Sequence, residues 1–171
     1  MRSVRIYYPF THASFDFAVC GVTALFSLLL SFDVQAQILN NATNLYIGSG
    51  VEVHADGSVS NTGFVQNQGE WFVSGDWVNN NIYQGLGRLT LNGTAKQGLT
   101  NNGNSFYSLR VMSPGGVDWR DNVIIDGSLE LSEGIVSVSP SSSITMATSA
   151  TVAGGSPSSF VEGPMIARGT G

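Results

Sequence analysis

Short apolar bursts recur along the chain at a nearly constant interval, and this recurrence constrains the fold more than any other feature of the sequence. A glycine precedes each burst. Gly50, Gly69 and Gly87 are separated by a nearly constant interval, and the same interval separates Gly116 from Gly134. The interval from Gly87 to Gly116 is about half as long again. A repeat of about 18–20 residues is typical of a β-solenoid, whose coils stack on one another. The longer interval indicates an insertion in one unit.

Within each burst, apolar residues alternate with polar ones, which is the pattern of a short β-strand with one buried face. A helical pattern at i, i+3, i+4 and i+7 does not persist after Gln37. In a solenoid each strand pairs with the strand one coil away, so inward side chains form ladders. The apolar pairs that the alternation places on one face of a strand are Val51 and Val53, Trp71 and Val73, Leu89 and Leu91, Leu129 and Leu131, Val136 and Val138, and Ile144 and Met146.

Turn-forming pairs between the bursts leave a second architecture open. Glycine and asparagine suit solenoid corners because they tolerate left-handed backbone conformations. The same pairs also form tight hairpins, and evenly spaced strands joined by hairpins build an antiparallel β-sandwich. The sequence therefore predicts an all-β fold, a parallel β-solenoid with the antiparallel β-sandwich as the alternative. The pairs are Asp56-Gly57, Asn92-Gly93, Asn102-Gly103 and Asp126-Gly127.

Residues 1–36 have the features of a secretory signal peptide. Two arginines give the segment a positive start, and residues 17–32 carry no charge. Val34 and Ala36 fit the small-residue pattern of a cleavage site, so we expect cleavage before Gln37. A membrane anchor is the alternative, but this uncharged run is short for a bilayer of about 30 Å. We expect a secreted or cell-surface protein, whose signal peptide engages the membrane only during export.

The composition of the mature chain, residues 37–171, excludes several kinds of chemistry. Cys20 is the only cysteine and lies within the predicted signal, in a context that disfavours lipoprotein attachment. The mature chain therefore forms no disulfide and holds no cysteine metal site. It carries five basic and ten acidic residues. Because phosphate contacts require a basic surface, we do not expect nucleic acid as a partner.

Aromatic residues are the better candidates for a binding role. Trp71, Phe72, Trp77 and Tyr83 lie close together in the sequence, and neighbours along a strand face opposite ways. An exposed aromatic side chain offers a flat apolar surface to a sugar ring or a protein partner. The alternative is that these residues fill a wide core. As surface residues, the four are our candidate ligand-binding positions, for an extracellular glycan or protein.

Several segments of the mature chain resemble the repeat region of large exported surface proteins of the Bacteroidetes, over roughly residues 44–168. The resemblance implies a right-handed parallel β-helix with an adhesin-like role, exported by Sec and in many relatives passed on by type IX secretion. Relatives continue into further repeats and a sorting module, which implies that this chain is truncated at its C-terminus. The segments are GEWFVSGDWVNN (69–80), GRLTLNG (87–93), SFYSLRV (105–111), NVIIDGSLEL (122–131), EGIVSV (133–138) and SSFVEGPM (158–165).

Residues suited to catalysis are few. His54 stands alone, without the G-x-S-x-G elbow that would support a triad. Glu130 and Glu133 lie close in the sequence, as a carboxylate pair for glycoside cleavage could, but the strand pattern places Glu130 outward and Glu133 in a turn. We therefore expect neither the carboxylate pair nor the histidine to be catalytic.

Three acids near one arginine are the closest approach to a calcium-dependent lyase site. Asp118, Asp121 and Asp126 accompany Arg120, but they spread over two turns. Calcium requires six to eight oxygen ligands, so we interpret these acids as turn formers. The prediction is a non-enzymatic structural or adhesin-like module without metal or cofactor. The alternative is a carbohydrate-binding or degenerate lyase-like β-helix.

Overall fold

The computed structural model describes residues 4–6, 15–17 and 35–168, and every regular element in these residues is a β-strand. No helix long and apolar enough to cross a bilayer occurs among them. Most of the predicted signal peptide, including Cys20, lies outside the described residues. The strands are β1 (Val4–Ile6), β2 (Phe15–Phe17), β3 (Gln35–Asn41), β4 (Asn44–Ile47), β5 (Glu52–Asn61), β6 (Phe64–Asn67), β7 (Glu70–Val73), β8 (Trp77–Asn79), β9 (Ile82–Gln84), β10 (Arg88–Leu91), β11 (Gln97–Thr100), β12 (Ser105–Met112), β13 (Val117–Trp119), β14 (Asn122–Glu133), β15 (Val136–Val138), β16 (Ser143–Met146), β17 (Thr151–Gly154), β18 (Val161–Glu162) and β19 (Met165–Ala167).

Strands β1 and β2 pair antiparallel, whereas β3 to β19 wind into a parallel β-solenoid of about six turns. Each turn passes through three stacks of strands, which we name face one, face two and face three. Face one stacks β7, β10 and β17 with parts of β3, β5, β12 and β14. Face two stacks β3, β5, β8, β11, β13, β15 and β18. Face three stacks β4, β6 and β9, and continues through the first residues of β12 and β14 to β16 and β19.

Long strands bend at the corners and so serve two faces. In β5, residues 52–55 pair on face one and residues 58–61 pair on face two. In β14, residues 122–125 pair on face three and residues 128–131 pair on face one. The pairs Asp56-Gly57 and Asp126-Gly127 lie at these two bends and not in hairpins. From β3 to β19 every named strand pairing is parallel, so the antiparallel sandwich is not the fold. The right hand of the coil stays a prediction.

The register explains the long interval between Gly87 and Gly116. Gly69 and Gly87 precede β7 and β10 at the corner that leads into face one, whereas Gly116 and Gly134 precede β13 and β15 on face two. The interval from Gly87 to Gly116 therefore spans one coil and one additional face. The expected insertion is wrong, because the glycines mark different corners of the coil.

The inward side chains form the predicted apolar ladders. On face one, Trp71, Leu89, Leu109 and Leu129 occupy successive coils and are fully buried. Burying a side chain of this size contributes about 1.5–3 kcal/mol, so the ladders hold the coils together. From Trp71 and Val73 onward, both members of each apolar pair share a buried face. Val51 is the exception, since it is exposed just before β5 begins.

Candidate functional site

Three of the four aromatic candidates lie in the core and not on the surface. Trp71 and Trp77 are fully buried and Tyr83 is nearly so. The Trp77 ring meets Trp71 edge to face at a centroid distance of 5.1 Å and Tyr83 at 5.2 Å, and Phe106 joins the cluster 5.3 Å from Tyr83. Aromatic rings favour this geometry. The predicted surface position is corrected at these three residues, because a wide coil interior needs large side chains to fill it.

The Tyr83 hydroxyl is part of this buried cluster. Asn67 Nδ2 donates to Tyr83 Oη at 3.0 Å. Burial raises the pKa of Tyr83 to about 12, against the opposing effect of the hydrogen bond from Asn67. The hydroxyl therefore stays protonated at neutral pH and serves as a hydrogen-bond acceptor within the core.

Phe72 is the one aromatic candidate whose side chain points outward. It lies on face one and is half-buried, opposite to its neighbour Trp71, as the strand pattern predicts. Its ring stacks on His54 with centroids 4.5 Å apart and planes 7° apart. His54 Nε2 lies 3.6 Å from a carboxylate oxygen of Glu52. One side of the Phe72 ring is thus covered, and a ligand role for Phe72 stays a prediction.

A ladder of buried asparagines runs along the stack at the end of face two. Asn41 donates to Asn61 at 2.8 Å, Asn61 to Asn79 at 2.7 Å, and Asn79 to Asn101 at 3.0 Å. Trp77 Nε1 also donates to Asn101 Oδ1, at 3.1 Å. Buried amides are costly unless they are paired, so each coil here fixes the register of the next. The recurrence of these asparagines once per coil is the signal that sequence reading missed.

The candidate calcium ligands do not converge. Asp118 lies on face two between Lys96 Nζ at 2.6 Å and Arg120 at 3.6 Å, and the hydrogen bond from Lys96 lowers its pKa. Asp121 accepts the backbone N–H groups of Asn101 and Gly103 at 3.1 Å each. Asp126 is exposed at the bend of β14. Within the described residues, no group of three or more His, Cys, Asp or Glu side chains could hold a metal ion.

The two members of the candidate carboxylate pair, Glu130 and Glu133, lie in different surroundings. Glu130 forms an ion pair with Arg110, whose Nε lies 2.8 Å from a Glu130 carboxylate oxygen, and this interaction lowers the pKa of the Glu130 carboxyl. A carboxyl with a lowered pKa is ionised at neutral pH, so it cannot act as the proton donor of glycoside cleavage. Glu133 is exposed at the end of β14. Glu130 is therefore engaged by Arg110 on the outward face of its strand, as the strand pattern predicts.

The outer surface of face one carries two in-register rows of mainly polar residues. Within them, Arg88 Nη1 lies 3.6 Å from a Glu70 carboxylate oxygen, and Thr90 Oγ1 donates to the same oxygen at 3.1 Å. The Ser108 and Ser128 hydroxyls are 2.8 Å apart. One row is Glu52, Glu70, Arg88, Ser108 and Ser128, and the other is His54, Phe72, Thr90, Arg110 and Glu130.

A groove follows the corner between face three and face one, beside the first of these rows. We name it the corner groove; its volume is about 420 Å³. Gly50, Gly69 and Gly87 contribute to its lining, and the exposed side chains of Leu86 and Tyr107 border it. Sequence reading missed this site because its residues are separated by a coil length and meet only once the register is known.

Comparisons with known proteins found no match, whether to a family model, to a curated protein or to a solved structure. The solenoid fold therefore stands on the strand pairings described above. The resemblance to Bacteroidetes surface proteins rests on the quoted segments alone.

Proposed function

We propose that this chain is a non-enzymatic, exported module that spaces or presents other domains at the cell surface. The observation that carries the proposal is the unbroken series of parallel pairings that joins coil to coil from β3 to β19. About six coils at about 4.8 Å each give a rod roughly 30 Å long. A short rod with a continuous core is suited to holding neighbouring domains apart.

The charged groups on the outside of the rod support a structural role over a catalytic one. Asp118 is paired with Lys96, and Glu130 is paired with Arg110. In both pairs the carboxyl pKa is lowered by its partner, so each carboxylate is held ionised. Such groups stabilise the surface of the stack and have little capacity for proton transfer at neutral pH.

The proposal also includes origin in the Bacteroidetes, export by Sec and passage through type IX secretion. They rest on the predicted signal peptide and on the resemblance of the repeat segments. Expression of the full chain with a C-terminal epitope tag, in a Bacteroidetes host with and without the type IX machinery, tests them. We expect a mature N-terminus at Gln37, and surface exposure of the tag that requires the machinery once a sorting module of the kind that the relatives carry is fused to the C-terminus. An uncleaved chain retained in the cytosol would contradict export.

The non-enzymatic part has a separate test. The exported chain is incubated with neutral and acidic polysaccharides, and the release of reducing ends and of unsaturated sugar ends is measured. We expect neither product above the level of a heat-denatured sample. Turnover that is abolished by Asp118→Asn or Glu130→Gln would replace the structural proposal with the lyase-like or glycosidase-like alternative.

A further inference from the structure

The corner groove runs across successive coils, along the axis of the stack. Five coils contribute to it in order, through residues 50–52, 68–70, 86–88, 107–108 and Ser128. Neighbouring strands are about 4.8 Å apart, so the four steps between these coils span roughly 19 Å. A groove of this length, with the same spacing at every step, fits an extended polymer that lies along the stack.

The backbone on the floor of the groove is already paired from coil to coil. Glu70 N donates to Val51 O, and Arg88 N donates to Gly69 O, each at 2.9 Å. An extended peptide binds a sheet mainly by pairing its own backbone with a free strand edge. Because these floor groups are engaged within the stack, the ligand must be recognised by side chains. This disfavours a peptide as the occupant.

The side chains in the groove have the chemistry to bind hydroxyl groups. The carboxylates of Glu52 and Glu70 accept hydrogen bonds, while the Ser108 and Ser128 hydroxyls and the Gln68 amide both donate and accept. A few polar groups of this kind are what orient a ligand in a binding site. Four of the five coils supply at least one such group, and the remaining coil supplies Arg88, so polar groups recur with the coil spacing.

The charges in the groove disfavour an acidic polymer. Two carboxylates, Glu52 and Glu70, face a single guanidinium, Arg88. Arg88 Nη1 is 3.6 Å from the Glu70 carboxylate and its Nε donates to Ser108 Oγ at 3.4 Å, so its charge is already engaged. A chain of uronic acids would meet net negative charge, whereas a neutral sugar chain would not.

Tyr107 supplies the apolar surface that a sugar ring requires. Its side chain borders the groove, and the residue is 43% exposed. The ring lies close against Gly127, where an added Cβ would be 3.1 Å from Tyr107 Cε2 and Cζ. Glycine at this position leaves room for the ring against the neighbouring coil. The exposed part of a tyrosine ring offers an apolar surface to the C–H groups of a sugar.

We propose that the corner groove binds a neutral, extended glycan, with about four sugar units along the roughly 19 Å of coil spacing. The sugar hydroxyls contact Glu52, Glu70 and the serines, and one ring packs against Tyr107. The proposal stands apart from the spacer function, because a rod can separate domains with or without a glycan in its groove. Its failure would leave the export and surface tests unaffected.

Titration calorimetry of the exported full chain with cellohexaose, mannohexaose and xylohexaose tests the proposal, with hexagalacturonate as the acidic counterpart. We expect at least one neutral hexasaccharide to bind, and hexagalacturonate to bind at least tenfold more weakly. Tyr107→Ala should weaken binding at least tenfold. Tyr46→Ala is the matched control, since Tyr46 is 58% exposed on face three and outside the groove, and it should change affinity less than twofold.

A second variant keeps the test independent of folding defects. Glu70→Gln preserves the shape of the side chain and should weaken binding about fivefold with an unchanged circular dichroism spectrum. Absence of binding to all three neutral hexasaccharides at millimolar concentration would overturn the proposal. Tighter binding of hexagalacturonate, or equal losses in Tyr107→Ala and Tyr46→Ala, would overturn it as well.

Discussion

The first coils and the last coils of the stack are held together by different interiors. Between β5 and β12, four aromatic rings pack edge to face and the asparagine ladder runs beside them. From β14 onward the inward ladders are mainly aliphatic, and β17 and β19 have no buried residue. Val152, which continues the ladder of Leu129, is 49% exposed. The difference implies that stability is concentrated in the aromatic and amide-rich coils.

The largest effect should come from removing the centre of the aromatic cluster. Trp77 is fully buried, contacts Trp71 and Tyr83, and donates to Asn101. Trp77→Ala should lower the free energy of unfolding by about 3–5 kcal/mol. Val152→Ala, on the same kind of ladder in the last coil, should cost less than about 1 kcal/mol. Urea titrations followed by circular dichroism measure both, and equal costs would contradict the comparison.

Alkaline pH should weaken the aromatic coils through Tyr83. The pKa of the Tyr83 hydroxyl is about 12 in the folded chain and 10.0 in the unfolded chain. As the pH rises, the unfolded state therefore loses the hydroxyl proton first. Stability contributed by the protonated hydroxyl is complete below pH 10 and is lost as the pH rises through 12, by about 2–3 kcal/mol. The Tyr83→Phe variant has no such hydroxyl, so this contribution to the loss of stability at high pH is absent. Unfolding titrations at pH 9 and pH 12 should show a smaller decline in the variant than in the parent chain, and identical declines would contradict the assignment.

The asparagine ladder should contribute next. Asn79 accepts from Asn61 and donates to Asn101, so Asn79→Ala leaves buried amide groups without these partners. The expected loss is about 2 kcal/mol, since an unsatisfied buried polar group costs about 1–3 kcal/mol. Asn80→Ala is the matched control, because Asn80 is exposed, and it should stay within about 0.5 kcal/mol. A loss for Asn79→Ala no larger than that of the control would refute the role of the ladder.

The fold could be predicted from the sequence because its dominant signals are local. Alternation places Leu89 with Leu91 and Leu129 with Leu131 on one face of a strand, and both pairs are buried as predicted. Glycine spacing gives the coil length, but it does not show which of the three corners each glycine occupies. This is why the interval from Gly87 to Gly116 suggests an insertion that the structure lacks.

The candidate site could not be predicted in the same way, because its residues meet only after stacking. Alternation puts Trp71 and Phe72 on opposite faces without telling which one is inside, and Trp71 is the buried one. Asparagine is common in turns, so in the sequence Asn61 and Asn79 look like corner residues and not like members of a buried ladder. Tyr107 and Glu70 are separated by nearly two coils and share a groove only through the strand register.

Native-state amide hydrogen exchange, followed residue by residue by NMR, tests most directly whether the first coils are more stable than the last coils. Segments with few buried contacts open locally, whereas well-packed ones exchange only through global unfolding. We expect amides of β7, β8, β10 and β11 to exchange with the free energy of global unfolding. Amides of β17, β18 and β19 should exchange at least a hundredfold faster than these. Uniform protection from β5 to β19, or stronger protection in the last coil, would contradict the account.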